Sequence, residues 1–199
     1  MAVTLALAAS PPARETLANW LGLRGVVIQR VQHPPTPTPL PPGPLGQRLG
    51  LGERVTLAQA ESRAGFTLLL PAGLGQPDEV YYDAGHRMVS FVYASRPGLP
   101  APDETGVSLL LSEFPGQLTR DSFGKMLGPG ESLTEVDLGR GKAYYIGGRH
   151  VFYFFEGPGR TDESRLAANT LIWQRQQVLI RMEGGFSKDQ AAAIARSLR

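Results

Sequence analysis

Two rhythms of apolar and polar positions alternate along this chain: helical spacing at a few short places, and brief apolar runs bounded by turn residues over most of the rest. Such bounded runs predict strands. Residues 66–70 are one continuous apolar run, expected as a strand buried on both faces. Residues 79–82 and 88–93 flank Asp83-Ala84-Gly85-His86 and read as a hairpin, and 107–114 continues the sheet. Five further strands are expected at 133–138, 142–146, 151–156, 171–174 and 178–183. Gly139-Arg140-Gly141, Gly147-Gly148 and the polar stretch 174–177 supply the turns between them.

Helix signals punctuate this pattern. Thr56 followed by Gln59 is a reciprocal cap, and Gly65 is a left-handed stop. The same grammar returns at Ser187 and Gln190, opening an alanine-rich helix that runs to Leu198. Thr119 caps a short helix expected over 121–127, closed by Gly128-Pro129. Near the start, Ser10-Pro11-Pro12 opens a helix to Leu21, with Leu17, Trp20 and Leu21 on one face and Gly22 as the stop. Strands joined by short turns pair antiparallel, so the expected fold is α+β: a mostly antiparallel sheet with short helices packed on one face, preceded by an N-terminal helix and a proline-rich linker.

Prolines divide the chain. Residues 33–44 exclude helix and central strand, because proline lacks the amide donor and drives its predecessor to extended geometry. A polyproline spacer of this length reaches roughly 35 to 40 Å at ~3.1 Å per residue. The expected division is a membrane-proximal apolar stump and amphipathic helix over 1–32, a linker over 33–52, and an α+β domain over 53–199. The apolar residues 2–9 fall short of the ~20 needed to cross a bilayer and lack the basic start of an export signal. They read either as a fraying terminus or as the outer end of a longer membrane helix. Leu17, Trp20 and Leu21 are the candidate membrane-proximal residues; Trp20 suits the lipid headgroup belt, though packing on the domain surface or in a partner interface is favoured.

Charge narrows the partners. The net charge is +2, and residues 1–56 carry five arginines against two glutamates, so the remainder stands at −1. A main domain of that balance argues against nucleic acid. With no cysteine, disulfides, thiolate metal sites and cysteine nucleophiles are excluded. Arginine outnumbers lysine 17 to 3, a bias ascribed to genome composition and given no functional weight.

Candidate chemistry is sparse. His33, His86 and His150 are scattered without ligand spacing, so no metal site and no cofactor is expected. Ser112 with Glu113, and Ser164 with Asp162 and Glu163, lack a strand–Ser–Gly elbow and read as surface polar residues. Asn169 is expected to satisfy a turn backbone. Phe152, Tyr153, Phe154 and Phe155 stand in a row, too many for one side of a strand. With Trp173 they form the candidate partner or ligand face, either lining a lipid or peptide groove or covered by a helix or the proline spacer. The chain is expected not to be an enzyme.

The order of Ala64-Gly65-Phe66 with Leu70-Pro71, Val80-Tyr81, Val89-Ser90-Phe91-Val92-Tyr93, Ala143-Tyr144-Tyr145-Ile146, Leu171-Ile172-Trp173 and Arg181-Met182-Glu183-Gly184, followed by Ser187, Ala191 and Ile194 to Leu198, resembles one bacterial domain. That domain is the extracytoplasmic C-terminal part of membrane-anchored anti-sigma factors and also occurs in some lipoproteins; the resemblance covers about residues 55–199. It implies a non-enzymatic extracytoplasmic sensor or partner-binding domain, membrane-associated in full context through an upstream tether, meeting a peptide, protein or lipid at the cell surface. The alternative is a secreted or lipid-anchored carrier with a hydrophobic ligand between sheet and helices. It implies no catalytic residues. The cytoplasmic sigma-binding part of such factors, often with a His/Cys zinc motif, has no counterpart in this sequence.

Overall fold

Gln59 and Gln190 close both expected capping boxes: the Thr56 and Ser187 hydroxyls accept the amides three residues on, and the glutamine side chains accept the cap amides. The structure is a computed structural model that describes residues 26–30, 43–101, 105–116, 134–148, 150–155 and 161–199. Its elements in chain order are β1 (Val26–Arg30), α1 (Leu45–Arg48), β2 (Glu53–Val55), α2 (Leu57–Ala64), β3 (Glu79–Asp83), β4 (Met88–Tyr93) and β5 (Leu109–Pro115). They continue with β6 (Thr134–Asp137), β7 (Lys142–Ile146), β8 (His150–Phe155), β9 (Thr161–Ala167), β10 (Asn169–Arg175), β11 (Val178–Gly184) and α3 (Lys188–Ser197). The expected helices over 10–21 and 121–127, the spacer over 33–44, and Leu17, Trp20 and Leu21 fall outside the described residues or, for 43–44, just inside them.

Eight strands form one antiparallel sheet in the order β2-β3-β4-β5-β11-β10-β7-β6. The α+β expectation is met. Register sorts the side chains into two faces, because successive residues of a strand point to opposite sides. One row runs Val89–Glu113–Ile180–Trp173–Ala143–Val136 across six strands. With Phe91, Leu109, Leu111 and Met182 this face meets α2 and α3. Ala60, Ala64, Ala191, Ala192 and Ala195 are the buried helix residues, and their small side chains bring both helices close onto the sheet. Each large aliphatic or aromatic side chain buried there contributes roughly 1.5–3 kcal/mol.

The opposite face carries the row Tyr81–Ser90–Ser112–Arg181–Ile172–Tyr144. Near its Tyr81 end lie α1 and Leu51, with Val92, Val107 and Leu110. Glu79 holds α1 in place by accepting the Leu45 amide at 3.1 Å and the Gly46 amide at 2.9 Å. Farther along, the Ser90 and Ser112 hydroxyls meet at 3.0 Å, and Arg181 is ion-paired with Glu183. Ser112 and Glu113 are therefore not surface residues: β5 lies fourth in the sheet, and both are buried, one on each face.

Residues 66–70 also depart from expectation. They form no strand of the sheet, and only Leu69 among them is buried. The segment instead clasps the C-terminal end of α3: Leu70 and Arg199 exchange amide hydrogen bonds at 3.1 and 3.2 Å, and the Ala72 amide donates to Ser197 at 3.2 Å. Paired along one side outside the sheet, the run has only one residue turned fully inward.

Three strands were not anticipated: β1, β2 and β9. The sequence of β9, TDESRLA, lacks the apolar run that marks a strand. It exists as the partner of β8, and β1 pairs along the other side of β8, giving a three-stranded sheet. Ile146 faces Thr170 while His150 faces Ala167, so four steps on one strand match three on the other. The β8–β9 hairpin thus continues the β7–β10 ladder outward with a one-residue slip.

Candidate functional site

Three chain turns converge at one end of the sheet. Because β7 runs antiparallel to β10, with Ala143 opposite Trp173, the turn entering β7 lies beside the turn leaving β10. The first turn is Leu138-Gly139-Arg140-Gly141, closed by the Leu138 amide on the Gly141 carbonyl at 3.1 Å and the Gly139 amide on Asp137 Oδ1 at 2.7 Å. Gly139 and Gly141 have φ of 73° and 128°, backbone that side-chain-bearing residues rarely adopt. The second is the polar end of β10, Gln174 and Arg175, which turns back through Gln176 into β11. The third is the last turn of α3, followed by Leu198, bridged to Pro71.

Between them lies a cleft of about 30 Å3. Trp173, Leu69, Leu138 and Leu198 give it an apolar lining, and Arg140, Arg175 and Arg196 line it too; among the described residues no Asp or Glu does. Arg196 is anchored, donating to the Asp137 carbonyl at 2.6 Å. Arg140 and Arg175 are exposed and have no ion-pair partner among the described residues.

Glu113 sits in the same register row as Trp173, two strands away, roughly 10 Å at strand spacing. Burial pushes its carboxyl up to about 8, against the partial opposition of the Leu69 amide and the Arg175 charge. On the other side of β4 and β5, burial likewise raises the Tyr81 phenol.

Of the candidate partner-face residues, Trp173 lines this cleft; it is 6 % exposed. Phe152, Tyr153 and Phe154 lie in the three-stranded sheet, opposite Ile28, Val27 and Val26 of β1, and Phe155 lies opposite Thr161 of β9. The backbone thus places the aromatic row and Trp173 in different sheets. Leu17, Trp20 and Leu21 lie outside the described residues. Asn169 serves turn backbones, as expected: its Oδ1 accepts the Gly148 amide at 2.7 Å and its Nδ2 donates to the Phe186 carbonyl at 2.8 Å. His86 Nδ1 lies 2.5 Å from Asp83 Oδ2 within its own turn.

The sequence alone does not bring the arginines together, because they are far apart along the chain and stand within a chain-wide excess of arginine over lysine. The one available signal was topological, since pairing the strand at 142–146 with that at 171–174 sets Arg140 beside Arg175. Among the described residues no cluster of His, Cys, Asp and Glu is arranged to hold a metal ion. Among them, too, no helix is long and apolar enough to cross a membrane. Comparison with protein-family models, with curated proteins and with solved structures finds no match to this chain.

Proposed function

We propose that this chain is a non-enzymatic extracytoplasmic sensor or partner-binding domain of a membrane-anchored regulator, of the anti-sigma-factor kind its sequence resembles, and that its partner docks at the cleft over Trp173. The observation that carries this reading is the convergence of three arginines on an apolar floor, with no Asp or Glu in the lining among the described residues. Exposed cations beside a buried tryptophan are the composition of an interaction hot spot.

The carrier alternative requires a void between sheet and helices. Small-molecule sites span about 300–1,000 Å3. The alanine faces of α2 and α3 lie directly on the sheet, with Ala60 and Ala64 fully buried, and the cleft of about 30 Å3 falls far short of such a site. Partner docking is the better account.

The test is site-specific photo-crosslinking in the native cell. A photoreactive residue in place of Gln174, at the cleft, is expected to yield a discrete adduct from the envelope fraction that the same probe at Glu61, on the exposed side of α2, does not. Identical adducts from both positions, or protection of the chain from protease added outside the cell, would remove the reading.

A further inference from the structure

We infer that the cleft over Trp173 receives the carboxylate of an acidic side chain on a partner peptide segment, gripped by Arg140 and Arg175 against the fixed guanidinium of Arg196. This rests on the partner-docking reading and adds the chemistry of what docks.

Size comes first. A cleft of about 30 Å3 has room for a group of a few heavy atoms, the size of a carboxylate head. Charge is next: guanidinium groups present planar forks of N–H donors that match a carboxylate two bonds at a time. Among the described residues the acids nearest in the fold are engaged or neutral. The Asp137 carboxylate receives the Gly139 amide within its turn, and Glu113, buried in the same face, keeps its proton up to about pH 8. The apolar lining supplied by Leu69, Leu138 and Leu198 lowers the local dielectric and strengthens the attraction.

Preorganisation completes the site. Arg196 is tied to the Asp137 carbonyl and the 138–141 turn is closed by its own hydrogen bond, so two walls are set before the ligand arrives. Arg140 and Arg175, exposed on separate turns, are free to close on it. An anionic bilayer is a poorer occupant: membranes are read by a broad basic surface, and the chain beyond residue 56 carries a net −1.

The full chain contains two tryptophans, so Trp20→Phe leaves Trp173 as the sole indole reporter. Its emission is titrated at pH 7 and low salt with a short, end-blocked peptide alternating leucine and glutamate, and with the same peptide carrying glutamine. The glutamate peptide is expected to give a saturable change, at least tenfold tighter than the glutamine peptide and weakened by added salt. Arg140→Gln and Arg175→Gln are each expected to weaken it roughly three- to tenfold, with thermal midpoints unchanged because both side chains are exposed. Equal affinity for the two peptides, an unaffected Arg140→Gln/Arg175→Gln double variant, or a response only to vesicles containing phosphatidylserine would overturn the assignment. The crosslinking at Gln174 does not depend on charge, so a Gln174 adduct alongside any of these results would leave partner docking standing and remove only the carboxylate.

Discussion

Both carboxylate oxygens of Glu113 lie within hydrogen-bonding reach of the Leu69 amide, at 3.1 and 3.2 Å, inside the core between the sheet and its helices. This contact ties three parts together. Glu113 belongs to β5, Leu69 to the extended segment beside it, and the next residue of that segment exchanges hydrogen bonds with Arg199 just past α3. The middle of the sheet therefore holds the clasp, and the clasp holds the helix whose last turn walls the cleft.

A pH dependence of stability follows. Burial raises the Glu113 carboxyl from 4.5 to about 8 in the folded chain, so between those values the folded state keeps a proton that the unfolded state releases. The contribution is fully present below about pH 4.5 and is lost as pH rises through about 8, a total of roughly 3–5 kcal/mol. Urea unfolding between pH 5 and 9 is expected to show this decline in the parent protein. In Glu113→Gln, whose side-chain oxygen still accepts the Leu69 amide, the curve is expected to be flatter and the protein more stable at pH 9. An unchanged slope in the variant would place the titration elsewhere.

The sheet was legible in the sequence where burial was one-sided or turns were chemically marked. Asp83-Ala84-Gly85-His86 announced the hairpin, and Gly139-Arg140-Gly141 announced the entry to β7. Capping boxes announced α2 and α3, since each rests on two local side-chain-to-backbone contacts. What depends on pairing was not legible. Thr161–Ala167 is polar and becomes a strand because β8 offers it an edge, whereas residues 66–70 are apolar and leave the sheet because Arg199 offers them another. The burial of Glu113 is not legible either, because a glutamate is almost never fully buried without partners. The site was half visible. Trp173 stood out, but the arginines around it come together only through the β7–β10 register.

Close packing of α1 on β3 makes one glycine irreplaceable. A Cβ at Gly46 would fall 2.1 Å from the Tyr81 ring, and that ring is 1 % exposed, with its hydroxyl donating to Glu79 at 2.8 Å. Ring and helix cannot both stay. Gly46→Ala is expected to cost roughly 1–3 kcal/mol or more. Gly147→Ala is its control: the nearest atom to the new methyl is 3.5 Å away, an ordinary contact, and the change is expected within about 0.5 kcal/mol. Denaturant midpoints of the pair decide it, and equal losses would mean that α1 is not held against Tyr81.

The Ser187 cap offers a graded test of how far α3 depends on its first turn. Its hydroxyl accepts the Gln190 amide at 3.3 Å, while Gln190 accepts the Ser187 amide at 2.9 Å. Ser187→Ala is expected to lower stability by about 1 kcal/mol. Ser187→Asp keeps an acceptor and adds a negative charge at the positive end of the helix, so it is expected to match or exceed the parent. Equal thermal midpoints for the alanine and aspartate variants would show that the helix is held by its alanine face alone.

Arg181 and Glu183 lie two residues apart on the same side of β11, buried to 2 % and 6 % exposure and ion-paired. Two charges withdrawn from water stabilise little as a pair, but each becomes costly without the other. Arg181→Ala leaves the Glu183 carboxylate buried beside a cavity, and the expected loss is roughly 3–5 kcal/mol. Arg181→Met with Glu183→Leu removes both charges and keeps most of the volume, so the double variant is expected to be more stable than Arg181→Ala. Chemical denaturation of Arg181→Met, Glu183→Leu and the double variant gives the coupling directly. If the double variant loses as much as the sum of its parts, the two side chains act independently, and the polar row on that face owes its place to neighbours other than this pair.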